Sequence, residues 1–150
     1  MRTTARTIAT AGTLAALVAG STAVLGATAS AAPNVTPQGV CGSAYKTVNS
    51  APIGSLGTVY LTYNSSNGKN CVATIRTNPG TAKEMSTYIY VPDTDAWAGD
   101  SGSYTSYAGP AYVYGKGHCV SWGGSISNVY VSVENSNCAA LKERRVTEVR

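Results

Sequence analysis

The chain alternates apolar and polar positions in short runs. In Thr58-Val59-Tyr60-Leu61-Thr62-Tyr63, one side carries Val59, Leu61 and Tyr63, the period of two expected of a half-buried strand. Asn64-Ser65-Ser66-Asn67-Gly68 follows, and Asn-Gly between alternating runs is a strong hairpin signal. The return strand is expected over residues 70–77, with Cys71, Ala73 and Ile75 on one face, and Asn78-Pro79-Gly80 ends it. Further strands are predicted over 85–91, 111–114, 118–122 and 128–134. In the first, Ile89 and Val91 oppose Tyr88 and Tyr90; in the last, Val129, Val131 and Val133 oppose Asn128, Tyr130, Ser132 and Glu134. Residues 92–104 read as a polar connection rich in Gly and Asp. Turn residues recur every eight to twelve positions, the spacing of a sandwich or barrel. The predicted fold is therefore all-β, a small antiparallel sandwich or distorted barrel.

The first 31 residues do not join this pattern. Arg2 and Arg6 precede an Ala-, Leu- and Val-rich run, and Ala27-Thr28-Ala29-Ser30-Ala31-Ala32 supplies small residues after it. That order is a secretory signal peptide, with cleavage expected after Ala31. Thr and Gly interrupt the run, which speaks against an anchor of about 20 consecutive apolar residues. The expected organisation is a signal over 1–31, a flexible lead-in over 32–40, a β domain over 41–138 and a charged tail over 139–150. No membrane span is expected once the signal is removed.

Composition sharpens the picture. Phe is absent, and after residue 31 Leu occurs only at 56, 61 and 141, so Val, Ile and Tyr supply the apolar bulk, as suits a pleated sheet. Nine of the 11 Lys/Arg and all seven Asp/Glu lie beyond the signal. From Cys41 to Cys138 five basic residues balance five acidic ones. A neutral core without a basic stripe argues against nucleic acid as a partner. The four cysteines, Cys41, Cys71, Cys119 and Cys138, follow an export signal, which reads as a disulfide framework. They lack the close spacing of a zinc site. Of three connectivities the local one, Cys41–Cys71 with Cys119–Cys138, is favoured.

Several motifs invite a chemical reading. Gly99-Asp100-Ser101-Gly102 looks like the nucleophile segment of chymotrypsin-like proteases, but His118, the only histidine, follows the serine. The triad needs a His base touching the Ser and an Asp orienting that His; an Asp/Ser/Gly turn explains the motif more simply. Asp93, Asp95 and Asp100 could offer oxygens to calcium, yet no complete calcium-loop pattern is present. No spacing singles out two carboxylates as a glycosidase pair. No catalytic residue, metal ligand or cofactor is therefore assigned. Gly57-x-x-Tyr60-x-x-Tyr63 before Gly68-Lys69-Asn70-Cys71-Val72 has an echo in Gly109-x-x-Tyr112-x-Tyr114 before Gly115-Lys116-Gly117-His118-Cys119-Val120. Two similar hairpins explain it more simply than a duplicated binding unit.

The tyrosines are the most distinctive feature. By parity, Tyr60, Tyr88, Tyr90, Tyr112, Tyr114 and Tyr130 fall on the strand faces opposite the aliphatic residues, and Trp97 sits in the acidic connection. An outward aromatic row can stack on polysaccharide or on a neighbouring molecule, because Tyr joins an apolar body to a polar tip. Trp122 is expected in the core.

Cys41-Gly42-Ser43-Ala44-Tyr45-Lys46-Thr47-Val48-Asn49-Ser50, Gly57-Thr58-Val59-Tyr60-Leu61-Thr62-Tyr63-Asn64 and Gly68-Lys69-Asn70-Cys71 form a series of linked motifs. Tyr107-Ala108-Gly109-Pro110, Lys116-Gly117-His118-Cys119-Val120 and Trp122-Gly123-Gly124-Ser125-Ile126 continue it. In these the chain resembles the spore-associated protein A family of Streptomyces-type actinomycetes. The resemblance implies a secreted protein of the aerial hyphae and spore surface, and it transfers no catalytic residue. The stretch Leu141-Lys142-Glu143-Arg144-Arg145 departs from it, because such a chain is expected to end soon after Cys138. The leading expectation is a non-enzymatic component of the spore or cell exterior that adheres through tyrosines to itself or to envelope glycan. The alternative is a secreted inhibitor or toxin-like effector whose 92–104 loop grips a protein target, since a rigid loop binds at lower entropic cost. A Ser101 hydrolase is a third.

Overall fold

A computed structural model describes residues 34–138; the expected signal segment and the charged tail lie outside them. One short helix, α1 (Pro37–Cys41), precedes eight strands: β1 (Lys46–Ile53), β2 (Gly57–Asn64), β3 (Lys69–Arg76), β4 (Lys83–Val91), β5 (Ala96–Tyr104), β6 (Tyr107–Tyr114), β7 (Val120–Ile126) and β8 (Val129–Ser136). They form two antiparallel four-stranded sheets, ordered β1-β2-β3-β6 and β5-β4-β7-β8. The all-β expectation holds, and so do both local disulfides, Cys41–Cys71 and Cys119–Cys138.

The inner faces of the two sheets meet in one core. Ile53, Val59, Leu61 and Val72 come from the first sheet, and Ile89, Val91, Trp122 and Ile126 from the second; all eight are fully buried. Each such side chain contributes about 1.5–3 kcal/mol by leaving water. Trp122 donates its indole N–H to Ser136 Oγ at 2.8 Å, so its polar atom is satisfied inside the core. The edges of the two sheets are tied on both sides. The Asn49 amide donates to Asn137 Oδ1 at 3.2 Å beside β1 and β8. The Gly109 N–H donates to Asp100 Oδ2 at 2.7 Å between β6 and β5.

The hairpin at Asn67-Gly68 forms as the turn chemistry predicts. Asn64 Oδ1 accepts from the Ser66 N–H and Asn67 Oδ1 from the Lys69 N–H, both at 2.9 Å, while Gly68 takes a positive φ of 70°, open to Gly at no steric cost. The second Gly-Lys unit is no hairpin: β6 belongs to the first sheet and β7 to the second. The apparent duplication is thus local sequence likeness without a structural repeat.

Two strands were not anticipated. The 92–104 connection is a turn only as far as Asp95, and Ala96–Tyr104 is strand β5. Its inward positions, Ala96, Ala98, Asp100, Gly102 and Tyr104, alternate with exposed ones, but small and polar residues hide the period. An edge strand paired only to β4 tolerates such low propensity. β1 was hidden for another reason. Its register slips between Thr47 and Asn49, leaving Val48 exposed while Ala51 and Ile53 are buried. A bulge breaks the alternation, and Pro52 is tolerated on an edge.

The lead-in also carries structure. Thr36 Oγ1 accepts the Gly39 N–H at 3.0 Å and Pro37 opens the helix, an N-cap followed by proline. The Cys41–Cys71 disulfide pins this turn onto the outer face of β3. There Cys41, Tyr45, Cys71, Ala73 and Ile75 make a second small cluster, joined by Val35, Val40 and Tyr60. The face of β3 bearing Cys71, Ala73 and Ile75 is therefore apolar because the helix covers it. Among the described residues no helix is long and apolar enough to cross a membrane.

Candidate functional site

The six tyrosines singled out by parity, and Trp97, which was expected in a connection and lies on β5, all point away from the inter-sheet core, but they lie on opposite sides of the sandwich. Tyr60, Tyr112 and Tyr114 stand on the outer face of the first sheet. Tyr88, Tyr90, Trp97 and Tyr130 stand on the outer face of the second.

On the first sheet two of the three serve packing. Tyr60 packs against the cluster under α1. Tyr112 packs against Tyr45, with ring centroids 5.4 Å apart and planes tilted by 59°, and its hydroxyl donates to the Cys41 carbonyl at 2.8 Å. Burial pushes the Tyr112 phenol above its ordinary value, with the neighbouring Tyr45 adding to the shift. Tyr114 is more exposed, its ring lying beside Gly68.

The second sheet is different: among the described residues nothing packs on its outer face. Strand register sets the aromatic positions. Trp97 on β5 is the cross-strand partner of Tyr90 on β4. Two residues along, Tyr88 lies between Gly99 on β5 and Gly123 on β7, and Gly123 pairs with Ser132 on β8. Two further along, Ser86 pairs with Ser101 and Ser125, and Ser125 pairs with Tyr130 on β8. Glycine lets the rings lie down. A Cβ on Gly99 would stand 2.6 Å from the Trp97 ring, and one on Gly123 would stand 2.7 Å from the Tyr88 ring. Trp97 is 66% exposed and Tyr130 79%, whereas Tyr88 and Tyr90 are half-buried.

Hydroxyl pairs hold the floor between the rings. Ser86 Oγ and Ser125 Oγ are 2.7 Å apart. Tyr88 Oη is 2.7 Å from Ser132 Oγ, and Ser132 Oγ donates to Glu134, so the proton order runs from tyrosine to serine to carboxylate. Hydrogen bonds from Ser132 and then Ser121 hold the Glu134 carboxyl below its usual range. Tyr90 donates to Asp95 Oδ1 at 2.9 Å, and that bond, with the Asp95 charge, raises the Tyr90 phenol. Alternation puts Glu84 on the same face as Ser86 and Tyr88, and Lys83 on the other. The face thus bears Glu84 and Glu134 and no Lys or Arg from its four strands.

The motifs with catalytic overtones are scattered. Ser101 is exposed in the middle of β5, about 17 Å along the strand from Ala96. His118 Nδ1 lies 3.0 Å from Asp93 Oδ2, joining the β6–β7 loop to the β4–β5 turn. Asp100 faces a cleft of about 570 Å³ at the β5–β6 corner, but both its oxygens are engaged, one by the Tyr104 hydroxyl and one by the Gly109 N–H, each at 2.7 Å. Asp93, Asp95 and Asp100 each serve a different partner, and among the described residues no three His, Cys, Asp or Glu side chains gather as a metal site would require.

Sequence reasoning located the aromatic positions but missed the platform beneath them: Ser86, Gly99, Gly123, Ser125 and Ser132. The available signal was the run Gly99-Asp100-Ser101-Gly102-Ser103, in which every second residue is small on the outward side.

No protein-family model matches the chain, and no solved structure matches it. The chain is similar to spore-associated protein A of Streptomyces coelicolor, with 52% identity over 131 residues that cover 87% of this chain and 81% of that protein.

Proposed function

The chain belongs to the spore-associated protein A family, and from that premise we propose that it is a non-enzymatic protein of the spore or cell exterior that adheres through the outer face of its second sheet. One observation carries the reading: a sheet face on which no other described element packs, with Trp97 and Tyr130 largely exposed and Tyr88 and Tyr90 between them. Exposed aromatics grouped on one face are the usual mark of an interaction surface. The relative's name supplies the association with the spore. The two disulfides suit an oxidising exterior, where they hold a small sandwich rigid enough to present a flat face. The separation of Ser101 from His118 and the engagement of Asp100 support a role without catalysis. The inhibitor reading loses its principal support, since most of the 92–104 loop it relied on is strand.

The test is co-sedimentation of the purified, oxidised protein with washed spore and cell-envelope particles. The wild type is expected in the pellet and the double variant Trp97→Ala/Tyr130→Ala in the supernatant. Equal pelleting of the two would remove the second sheet from the mechanism.

A further inference from the structure

Building on that reading, we infer that the ligand of the second sheet's outer face is an uncharged linear polysaccharide, lying on a diagonal from Trp97 across Tyr88 to Tyr130. Register gives the direction. Trp97 and Tyr88 are on neighbouring strands and offset by two residues. Tyr88 and Tyr130 are two strands apart and offset by two more in the same sense. With about 4.8 Å between strands and about 3.3 Å per residue, the Cα steps are roughly 8 and 12 Å, a line of about 20 Å. A chain of several sugar units spans that length, and flat rings at intervals along a line suit the apolar faces of successive pyranoses.

Charge and composition narrow the ligand. The face has Glu84 and Glu134 and no cation from its strands, so on the described strands a phosphate- or carboxylate-bearing polymer meets repulsion without a counter-charge. The floor between the rings is Ser and Gly, with Ser101 and Ser103 exposed on β5. Protein–protein interfaces are depleted in Ser and centred on tightly packed apolar side chains. A floor of hydroxyls between separated rings matches a polyhydroxyl ligand better than a second copy of this chain.

The molecule carries its own reporter. It has two tryptophans; Trp122 is fully buried and Trp97 is 66% exposed, so acrylamide quenching of the folded protein reports on the proposed site. The probes are cellohexaose and chitohexaose, with polyphosphate as the charged comparison. Expected are protection of Trp97 by at least one neutral oligosaccharide, none by polyphosphate, and binding weakened about tenfold by Tyr130→Ala, of the order of one lost aromatic contact. Tyr114→Ala, on the opposite face, is expected to bind as the wild type does. Tyr130 is 79% exposed, so its removal leaves the core intact, and an unchanged circular dichroism spectrum checks this. Three results would overturn the inference. Protection by polyphosphate would replace the ligand class. Concentration-dependent dimerisation that shields Trp97 without sugar would make the partner a second copy. Failure of both neutral oligosaccharides, with Trp97- and Tyr130-dependent pelleting intact, would reject the glycan and leave the adhesive reading standing.

Discussion

Thr74 of β3 faces Gly124 of β7 across the core. It is fully buried, and among the described residues its hydroxyl is the buried side-chain polar atom without a partner. A Cβ placed on Gly124 across the core would fall 2.0 Å from that hydroxyl, so the position has room for the threonine only because residue 124 has no side chain. Stranding a hydroxyl costs about 1–3 kcal/mol in protein interiors. Thr74→Val keeps the shape and removes the unsatisfied group. It is expected to stabilise the fold by about 1 kcal/mol, read as a higher urea midpoint at unchanged m-value. A lower midpoint would mean that the hydroxyl has a partner after all. Gly124 and Gly123 also show how neighbouring glycines take different work: one admits the opposite sheet, and the other seats the Tyr88 ring.

At the scale of elements, legibility followed the clarity of alternation. β2, β4 and β8 were readable because large apolar side chains recur at every second position. β1 was not, because its bulge at Val48 changes which face each residue takes. β5 was not, because its inward residues are mostly small. The parity that located the tyrosines could not say which sheet each strand joins, so one supposed row resolved into two opposite faces. The β5–β6 corner was equally invisible, because it depends on which groups one carboxylate binds, four and nine residues away, and no periodicity marks that. Asp100 holds Tyr104 and the Gly109 N–H together, and the hydrogen bond that the Tyr104 hydroxyl donates to Asp100 raises its phenol above the ordinary value, followed by burial and the Asp100 charge. The folded state therefore keeps this proton more firmly than the unfolded one. The contribution is complete below pH 10 and disappears as pH rises through the folded value. Tyr90, raised by Asp95, behaves in the same sense. The double variant Tyr104→Phe/Tyr90→Phe is expected to show a flatter loss of thermal stability between pH 9 and 11 than the wild type. Parallel curves would show that neither phenol is linked to folding.

The whole molecule is stapled at two places that do different things. Cys41–Cys71 spans 30 positions and fastens α1 to the outside of the first sheet. Cys119–Cys138 spans 19 positions and joins the approach to β7 to the chain beyond β8. Chain entropy values the two closures at about 4 and about 3 kcal/mol, each a large part of the ~5–15 kcal/mol stability of a typical domain. Similar energies have unequal structural consequences, because Trp122 is anchored to β8 through Ser136. Converting Cys119 and Cys138 to Ala frees the far end of β8 and with it the partner of the indole. Acrylamide should then reach Trp122, and the emission should move to longer wavelength while the protein is still folded. Converting Cys41 and Cys71 to Ala loosens the helix on the opposite side and should lower the melting temperature without a change in Trp122 emission. Trp97 would obscure the signal, so both pairs are compared in a Trp97→Phe background. If both pairs leave Trp122 equally shielded, β8 is held by its ladder with β7 and by the Asn49–Asn137 tie, and the second disulfide adds stability without setting the geometry of the second sheet's outer face.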